Sequence, residues 1–200
     1  YYMNINWDTW ENKEYHNDVN LNLALNRYSK LFKFHKLNAK KMDILEIGCG
    51  NGRETYILSK MFKNILALDP SEILINSLNE KIKIYKINNV TTMIGNSESI
   101  NINKKFDMII FTYSFLFVKN KQKCLLKINN LLKKNGYLLL LEPARFNNLL
   151  FKNELSKKKI KDWYNLLNDT LIVIIKSKKF KLIQHLNLFK FTNTYLLKKN

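Results

Sequence analysis

The chain has 200 residues, 46% of them hydrophobic and 12% aromatic, which predicts one globular domain and excludes a disordered chain. No run of about 18 uncharged apolar residues is present, so no membrane span is predicted. No basic segment followed by an apolar one opens the chain, so no signal peptide is predicted. Cys49 and Cys124 form no metal-binding pattern, and two such cysteines favour a reducing cytoplasm over a disulfide.

The net charge of +18 invites a nucleic-acid interpretation. Only Arg27, Arg53 and Arg145 are arginines among the 34 basic residues, and lysine, asparagine and isoleucine abound throughout. That composition is typical of an AT-rich genome, and arginine is the residue favoured for bidentate phosphate recognition. We interpret most of the charge as a solvated surface. An anionic substrate, RNA or an acidic membrane surface stays open as a partner.

The N-terminal residues 1–38 are predicted to form a helical extension. Residues 4–16 are polar but include Trp7, Trp10 and Tyr15, with His16 next to Tyr15. Residues 18–36 carry apolar side chains at helical spacing. The aromatic side chains either cover a ligand or anchor the extension on the core.

A glycine loop follows the first predicted strand. Residues 42–53 read M-D-I-L-E-I-G-C-G-N-G-R, and three of the five glycines in the chain fall at Gly48, Gly50 and Gly52. An apolar run precedes the loop and residues with helical spacing follow it, so the segment predicts strand, tight loop and helix. A dinucleotide site requires G-x-G-x-x-G, whereas the spacing here is G-x-G-x-G. Glu46 would repel a pyrophosphate but could accept hydrogen bonds from an ammonium group or a hydroxyl.

Two further strands are predicted before the middle of the chain. Residues 64–68 form the first and end at Asp69-Pro70-Ser71, where Asp69 or Ser71 could cap a helix over 72–83. A carboxylate about 20 residues past a glycine loop can also accept from both hydroxyls of a ribose. Residues 90–94 form the second strand, and Gly95-Asn96-Ser97 follows as a turn.

The remaining elements complete an α/β pattern. Strands are predicted over 106–111, 137–143, 178–186 and 191–198, with helices over 120–134 and 162–177. Residues 115–118 are apolar, Cys124 falls on the inner face of the first helix, and Asn135-Gly136 ends that helix. The pattern predicts a single α/β domain over 1–200 with a doubly wound, mostly parallel seven-stranded sheet, and residues 191–198 are interpreted as its last, antiparallel strand.

The pattern E-x-G-x-G-x-G from Glu46 to Gly52 resembles motif I of the class I S-adenosylmethionine (SAM) dependent methyltransferases, specifically the small type 11/25 members. Asp69, the Asn96-Ser97 turn, the Phe106-Asp107 strand and K-N-G-Y-L-L-L-L-E-P resemble later motifs in the same order. The resemblance covers about 42–143. It implies that SAM is the cofactor and that the N-terminal extension is a lid over it.

The resemblance implies a role for each matching residue. Glu46 would attract the amino-acid end of SAM, Asp69 would bind the ribose and Asn96 would accept from the adenine amine. The family usually has Asp where Asn96 stands, which weakens that part of the pattern. The full set of cofactor-binding candidates is Tyr15, Glu46, Gly48, Cys49, Gly50, Gly52, Asp69, Pro70, Asn96, Ser97, Phe111 and Thr112.

The acceptor side is harder to assign. Tyr113 and Glu142 are the substrate-side candidates, although Glu142 could be structural, and His16 is the candidate general base. Residues 144–161 are interpreted as an acceptor-side insertion. Phe117 stands where many relatives have histidine, and 115–118 either line the acceptor pocket or pack. No metal-ligand pattern is present, so a metal-dependent mechanism is disfavoured.

Four functions remain open. The first is methyl transfer to an O or N atom of a small molecule or glycan. The second is RNA methylation through the basic surface. A non-catalytic SAM-binding subunit and an NAD-dependent oxidoreductase are the third and fourth.

Overall fold

The structure is a computed structural model. It describes residues 18–143, 165, 169–170, 172–174, 176–188 and 192–200. The helices are α1 (Asp18–Phe34), α2 (Arg53–Ser59), α3 (Glu72–Ile84) and α4 (Lys121–Leu131). The described residues between 165 and 176 are also helical. The strands are β1 (Asp43–Ile47), β2 (Asn64–Asp69), β3 (Val90–Ile94), β4 (Phe106–Thr112), β5 (Leu132–Pro143), β6 (Phe180–Leu188) and β7 (Thr192–Lys199).

The seven strands form one sheet in the order β3-β2-β1-β4-β5-β7-β6. The pairs β1–β2, β2–β3 and β4–β5 are parallel, and β7 is antiparallel to both β5 and β6. The predicted α/β class, the seven strands and the antiparallel last strand are therefore confirmed. Contacts within the chain define two compact units that meet in sequence between Asn96 and Ser97.

The first unit is built on β1, β2 and β3. Ile44, Leu45 and Ile47 of β1 are buried, as parallel strands covered on both faces require. Ser71 caps α3, because its side chain accepts a hydrogen bond from the N–H of Leu74 at 3.2 Å. The capping role that the sequence left open between Asp69 and Ser71 thus belongs to Ser71.

α1 packs on this first unit through one face. Tyr28, Leu31 and Phe32 of that face are at most 4% exposed, and Phe32 meets the ring of Phe62 edge-on at 5.4 Å between centroids. The described part of the N-terminal extension is therefore anchored on the core.

The second unit is built on β4, β5, β7 and β6. Its core includes Phe106, Met108 and the leucine run 138–141, all fully buried. Cys124 is 1% exposed on α4, which confirms its predicted core position.

One predicted boundary in this unit is wrong. The sequence predicts a helix to Lys134, but α4 ends at Leu131 and β5 begins at Leu132. Leu132 is extended because it is buried opposite Phe106 in the register of β4 and β5. Asn135 still adopts the left-handed backbone expected of it, with φ 62°, but it does so within β5.

The described helices include none that is both long and apolar enough to cross a bilayer.

Candidate functional site

The glycine loop, residues 48–52, joins β1 to α2 through a left-handed backbone. Gly48, Gly50 and Gly52 have φ of 76°, 54° and 87°, values that only glycine adopts without strain. The N–H groups of Gly48 and Cys49 both donate to the carbonyl of Leu68, at 2.7 and 3.1 Å. The loop is therefore held to the end of β2 by its own backbone.

Gly50 and Gly52 serve different purposes. A Cβ placed on Gly50 would meet nothing within 4 Å, so the bare backbone there faces open space. A Cβ on Gly52 would lie 2.3 Å from Cδ1 of Leu78, a buried side chain of α3. Gly50 is thus the position where a ligand can approach the loop, and Gly52 is required by packing.

Asp69 ends β2 and connects to the loop. Its Oδ2 accepts from the N–H of Gly50 at 2.8 Å, and its Oδ1 accepts from the N–H of Ser71 at 3.0 Å. The residue is 6% exposed. A carboxylate is a hydrogen-bond acceptor for hydroxyl groups, such as those of a ribose.

Glu46 is buried beneath the loop at 1% exposure, and its Oε2 accepts from the hydroxyl of Thr55 at 2.7 Å. Burial raises the pKa of Glu46 to about 8; the hydrogen bond from Thr55 opposes the shift, and the charges of Glu54 and Asp69 add to it. Burial therefore favours the neutral acid, and a nearby cation would favour its ionisation.

Glu54, which sequence reasoning missed, holds α1 to the start of α2. It is 7% exposed and accepts from the hydroxyl of Tyr28 at 2.8 Å. Arg27 and Arg53 form ion pairs with it at 3.5 and 3.2 Å. No motif marks this residue, because its partners on α1 lie 26 and 27 positions earlier in the chain.

The other cofactor candidates of the first unit differ in exposure. Cys49 is 7% exposed, and burial, followed by the charges of Glu46 and Asp69, raises the pKa of its thiol well above the usual value. It is therefore a neutral loop residue and no nucleophile. Pro70 and Asn96 are exposed, so both side chains are accessible.

The second unit holds the remaining cofactor candidates. Ser97 is buried next to the thiol of Cys124. Phe111 is fully buried and meets Phe115 edge-on, so its side chain is part of the core. The hydroxyl of Thr112 is buried and has no hydrogen-bond partner.

Tyr113 follows β4 with a positive φ of 55°. Its N–H donates to the carbonyl of Leu141 at 2.7 Å, and its hydroxyl is 2.8 Å from that of Thr192. A non-glycine residue in this region is strained, and such strain is concentrated at functional sites. Residues 115–117 form a short 3-10 helix in which Phe115 and Leu116 are fully buried, so packing explains this part of the apolar block.

Glu142 near the end of β5 is 1% exposed, and neither carboxyl oxygen has a hydrogen-bond partner. Burial raises its pKa to about 8, although the N–H groups of Leu116 and Phe115 and the Lys121 ammonium lie near enough to oppose the shift. A buried carboxyl that lacks a well-formed hydrogen bond is costly to the fold, which makes Glu142 a candidate for a functional group.

Several predicted residues lie outside the described part of the chain. These are Trp7, Trp10, Tyr15, His16 and the insertion 144–161.

His185 is exposed on β6, and its ring stacks on that of Tyr195. Its Nε2 lies 3.0 Å from Oδ1 of Asn193. Within the described residues no group of three or more His, Cys, Asp or Glu could hold a metal ion.

Comparisons with known proteins identify the family of the chain. A family described as a methyltransferase domain matches residues 38–188. A putative methyltransferase 235L of Invertebrate iridescent virus 6 is 26% identical over 144 residues, which cover 66% of this chain and 52% of that protein. The probable S-adenosyl-L-methionine-dependent methyltransferase TehB of Haemophilus influenzae is 29% identical over 132 residues, covering 60% of this chain and 45% of that protein.

The solved structure of a SAM-dependent methyltransferase from Aquifex aeolicus has the same fold. Its TM-score is 0.66 at 18% identity, and the match covers 88% of this chain and 89% of that chain. The chain spans about half, or less, of the length of the first curated relatives it matches.

The chain therefore belongs to the methyltransferase-domain family, which confirms the resemblance to class I SAM-dependent methyltransferases. SAM is the cofactor of this class of enzyme.

The contrast between the two loop glycines can be measured. Gly50→Ala should destabilise the fold by about 1 kcal/mol, because only the left-handed backbone is strained. Gly52→Ala should cost about 1–3 kcal/mol more, because its methyl group overlaps Leu78. Urea unfolding measures both, and adding Leu78→Ala should remove the excess cost of Gly52→Ala. Equal penalties for the two alanine variants would contradict the packing role of Gly52.

Glu142 should make the fold less stable as pH rises. Its folded pKa lies above the unfolded value, so the unfolded state loses its proton first, and stability falls between about pH 5 and 8. The loss at pH 8 is on the order of a few kcal/mol. Glu142→Gln and Glu142→Met should both reduce this dependence in urea unfolding at pH 5 and pH 8, and Glu46, whose pKa is also about 8, should account for the part that remains. An unchanged difference between the two pH values in both variants would show that Glu142 ionises normally.

Proposed function

We propose that this chain transfers a methyl group from SAM to an O or N atom of a small molecule or glycan. One observation carries the proposal: the bare backbone at Gly50 faces open space beside two buried carboxyls, Glu46 and Asp69. A cationic donor that carries a ribose needs this combination of close backbone approach and acidic acceptors. A pyrophosphate would be repelled by it.

The donor side can be assigned residue by residue within this proposal. Asp69 would accept from the ribose hydroxyls while its bond to Gly50 holds the loop in place. The Asn96-Ser97 turn would meet the adenine, where the amide oxygen of Asn96 can accept from an amine. Glu46 would lie toward the ammonium group, directly or through water. Tyr15 of the N-terminal extension stays a prediction.

When bound, SAM supplies an activated methyl group, which passes to the acceptor atom as the carbon–sulfur bond breaks and its electron pair stays on sulfur. The task of the protein is to align the acceptor and exclude water. Tyr113 and Glu142 are the proposed acceptor-side residues. If the acceptor is a hydroxyl, its proton must be removed, and His16 is the proposed base.

Two other functions remain candidates. RNA methylation is favoured by the charge of +18 and by exposed lysines, although Lys157, Lys158 and Lys159 lie outside the described residues. A non-catalytic SAM-binding subunit would bind SAM without turnover on any acceptor. The cytoplasmic location expected from the cysteines also stays a prediction.

Titration calorimetry with SAM, S-adenosylhomocysteine and NAD tests the donor. SAM and S-adenosylhomocysteine should bind and NAD should not. Asp69→Asn should weaken SAM binding by about 10- to 100-fold, because a hydrogen bond to a charged group contributes about 1.5–3 kcal/mol. Asp43→Asn is the matched control, since Asp43 lies at the opposite end of β1 and accepts from Asn64. Binding of NAD without binding of SAM would contradict the proposal.

Protonation of Glu46 gives a second, independent prediction. If the ammonium group of SAM lies near this carboxyl, binding favours its ionised form and releases a proton. SAM should therefore bind more tightly as pH rises from about 6 to 7.5, because the unliganded group has a pKa of about 8. Calorimetry in two buffers of different ionisation enthalpy counts the released protons. In Glu46→Gln the release should vanish, and release that persists unchanged would assign the proton to another group.

A further inference from the structure

Lysines gather at one edge of the second unit, where β4, β5 and β6 begin and the antiparallel β7 ends. Because the amino ends of parallel strands meet at one edge of a sheet, these segments lie side by side. We define the lysine edge as Lys104, Lys105, Lys133, Lys134, Lys178, Lys179, Lys181, Lys198 and Lys199. We propose that the lysine edge binds the phosphate backbone of a nucleic acid.

Like charges face each other within the lysine edge. Lys181 and Lys198 are direct partners in the antiparallel register of β6 and β7, a pairing that destabilises a sheet. Burial lowers the pKa of Lys199, and the nearby charge of Lys105 lowers it further. A bound polyanion would relieve this repulsion, whereas monovalent salt only screens it.

The described segments of the lysine edge contain one acid. Asp107 is paired with Lys133 at 2.8 Å. Lys199 donates to the carbonyls of Asn129 and Leu132 at 2.6 and 3.0 Å, and Lys105 donates to that of Asn130, so both ammonium groups are held at the C-terminal end of α4.

Other lysines of the edge are open to solvent. Lys134, Lys178, Lys179 and Lys181 are exposed. Four neighbouring strands span about 14 Å, a length over which one strand of a duplex presents about four phosphates. The edge therefore presents enough separate charges to contact a run of successive phosphates.

The chemistry favours nucleic acid over a lipid surface. Stable binding to a bilayer combines basic residues with apolar side chains that enter it. Leu182, at 42% exposure, is the one large apolar side chain among the exposed residues of these segments. The lysine edge has no arginine, the residue that most often reads bases, so binding should depend on phosphates and be independent of sequence.

The lysine edge is separate from the acceptor-side residues of the same unit. Tyr113 and Glu142 lie at the carboxyl ends of β4 and β5, and the seven residues of β4 span about 20 Å. Binding here therefore neither requires nor tests methyl transfer, and it can succeed or fail independently of the proposed function.

Fluorescence anisotropy with a labelled 20-nucleotide single-stranded RNA, without SAM, tests the proposal across a salt series. The edge variant Lys134→Gln/Lys179→Gln/Lys181→Gln should weaken binding about tenfold or more. It should also make the slope of log affinity against log salt shallower by about 2, at about 0.7 per lost contact with a single strand. The control variant Lys30→Gln/Lys33→Gln/Lys123→Gln removes the same charge from exposed positions on α1 and α4 and should change both quantities much less.

The proposal would be overturned by no binding at low salt, by equal loss in the edge and control variants, or by binding to anionic phospholipid vesicles but not to RNA. Equal loss would show that net charge alone causes the attraction. A second RNA of unrelated sequence should bind with the same affinity, and strong preference for one sequence would also contradict backbone recognition. Circular dichroism of both variants confirms that each keeps its fold.

Discussion

The left-handed glycine loop is the constraint on which the donor side depends. Between Ile47 and Arg53 the chain must leave a buried strand and enter a helix, and three glycines make that reversal without strain. The N–H of Gly50 then donates to Asp69, and Leu68 accepts from the start of the loop. The end of β2 is thereby fixed to the end of β1. A ligand meets a loop whose position is already set, so little binding energy is lost in ordering it.

The acidic groups buried near the glycine loop contrast with the positive net charge of the chain. The protein carries a charge of +18, yet three carboxyls lie buried at or near the glycine loop: Glu46, Glu54 and Asp69. Arg27 and Arg53 pair with Glu54, and backbone N–H groups meet Asp69. Glu46 has the hydroxyl of Thr55 and no ion pair of its own in the described residues, so a bound cation would favour the ionised form of this carboxyl.

Periodicity and glycine spacing predict the elements here because those signals are local. The bounds of β3 match the prediction, and Asp69 falls at the end of β2 as expected. The end of α4 could not be predicted, because Leu132 becomes extended only through its pairing with Phe106, 26 positions earlier. The roles of Glu54 and Leu78 were missed for the same reason. Each depends on a contact between helices or loops that no spacing in the sequence records.

Composition and arrangement answer different questions about the lysines. A bias in the genome sets how many lysines a chain has, and the sequence alone supports that interpretation of the charge. The genomic bias does not determine which strand ends carry the lysines, and only the register of β6 and β7 shows that Lys181 faces Lys198. A solvated surface would be more stable with one of these two replaced by an acid or a neutral residue. The pairing of Lys181 with Lys198 therefore concentrates positive charge at a cost in stability. The proposed binding to phosphates requires such a concentration of charge.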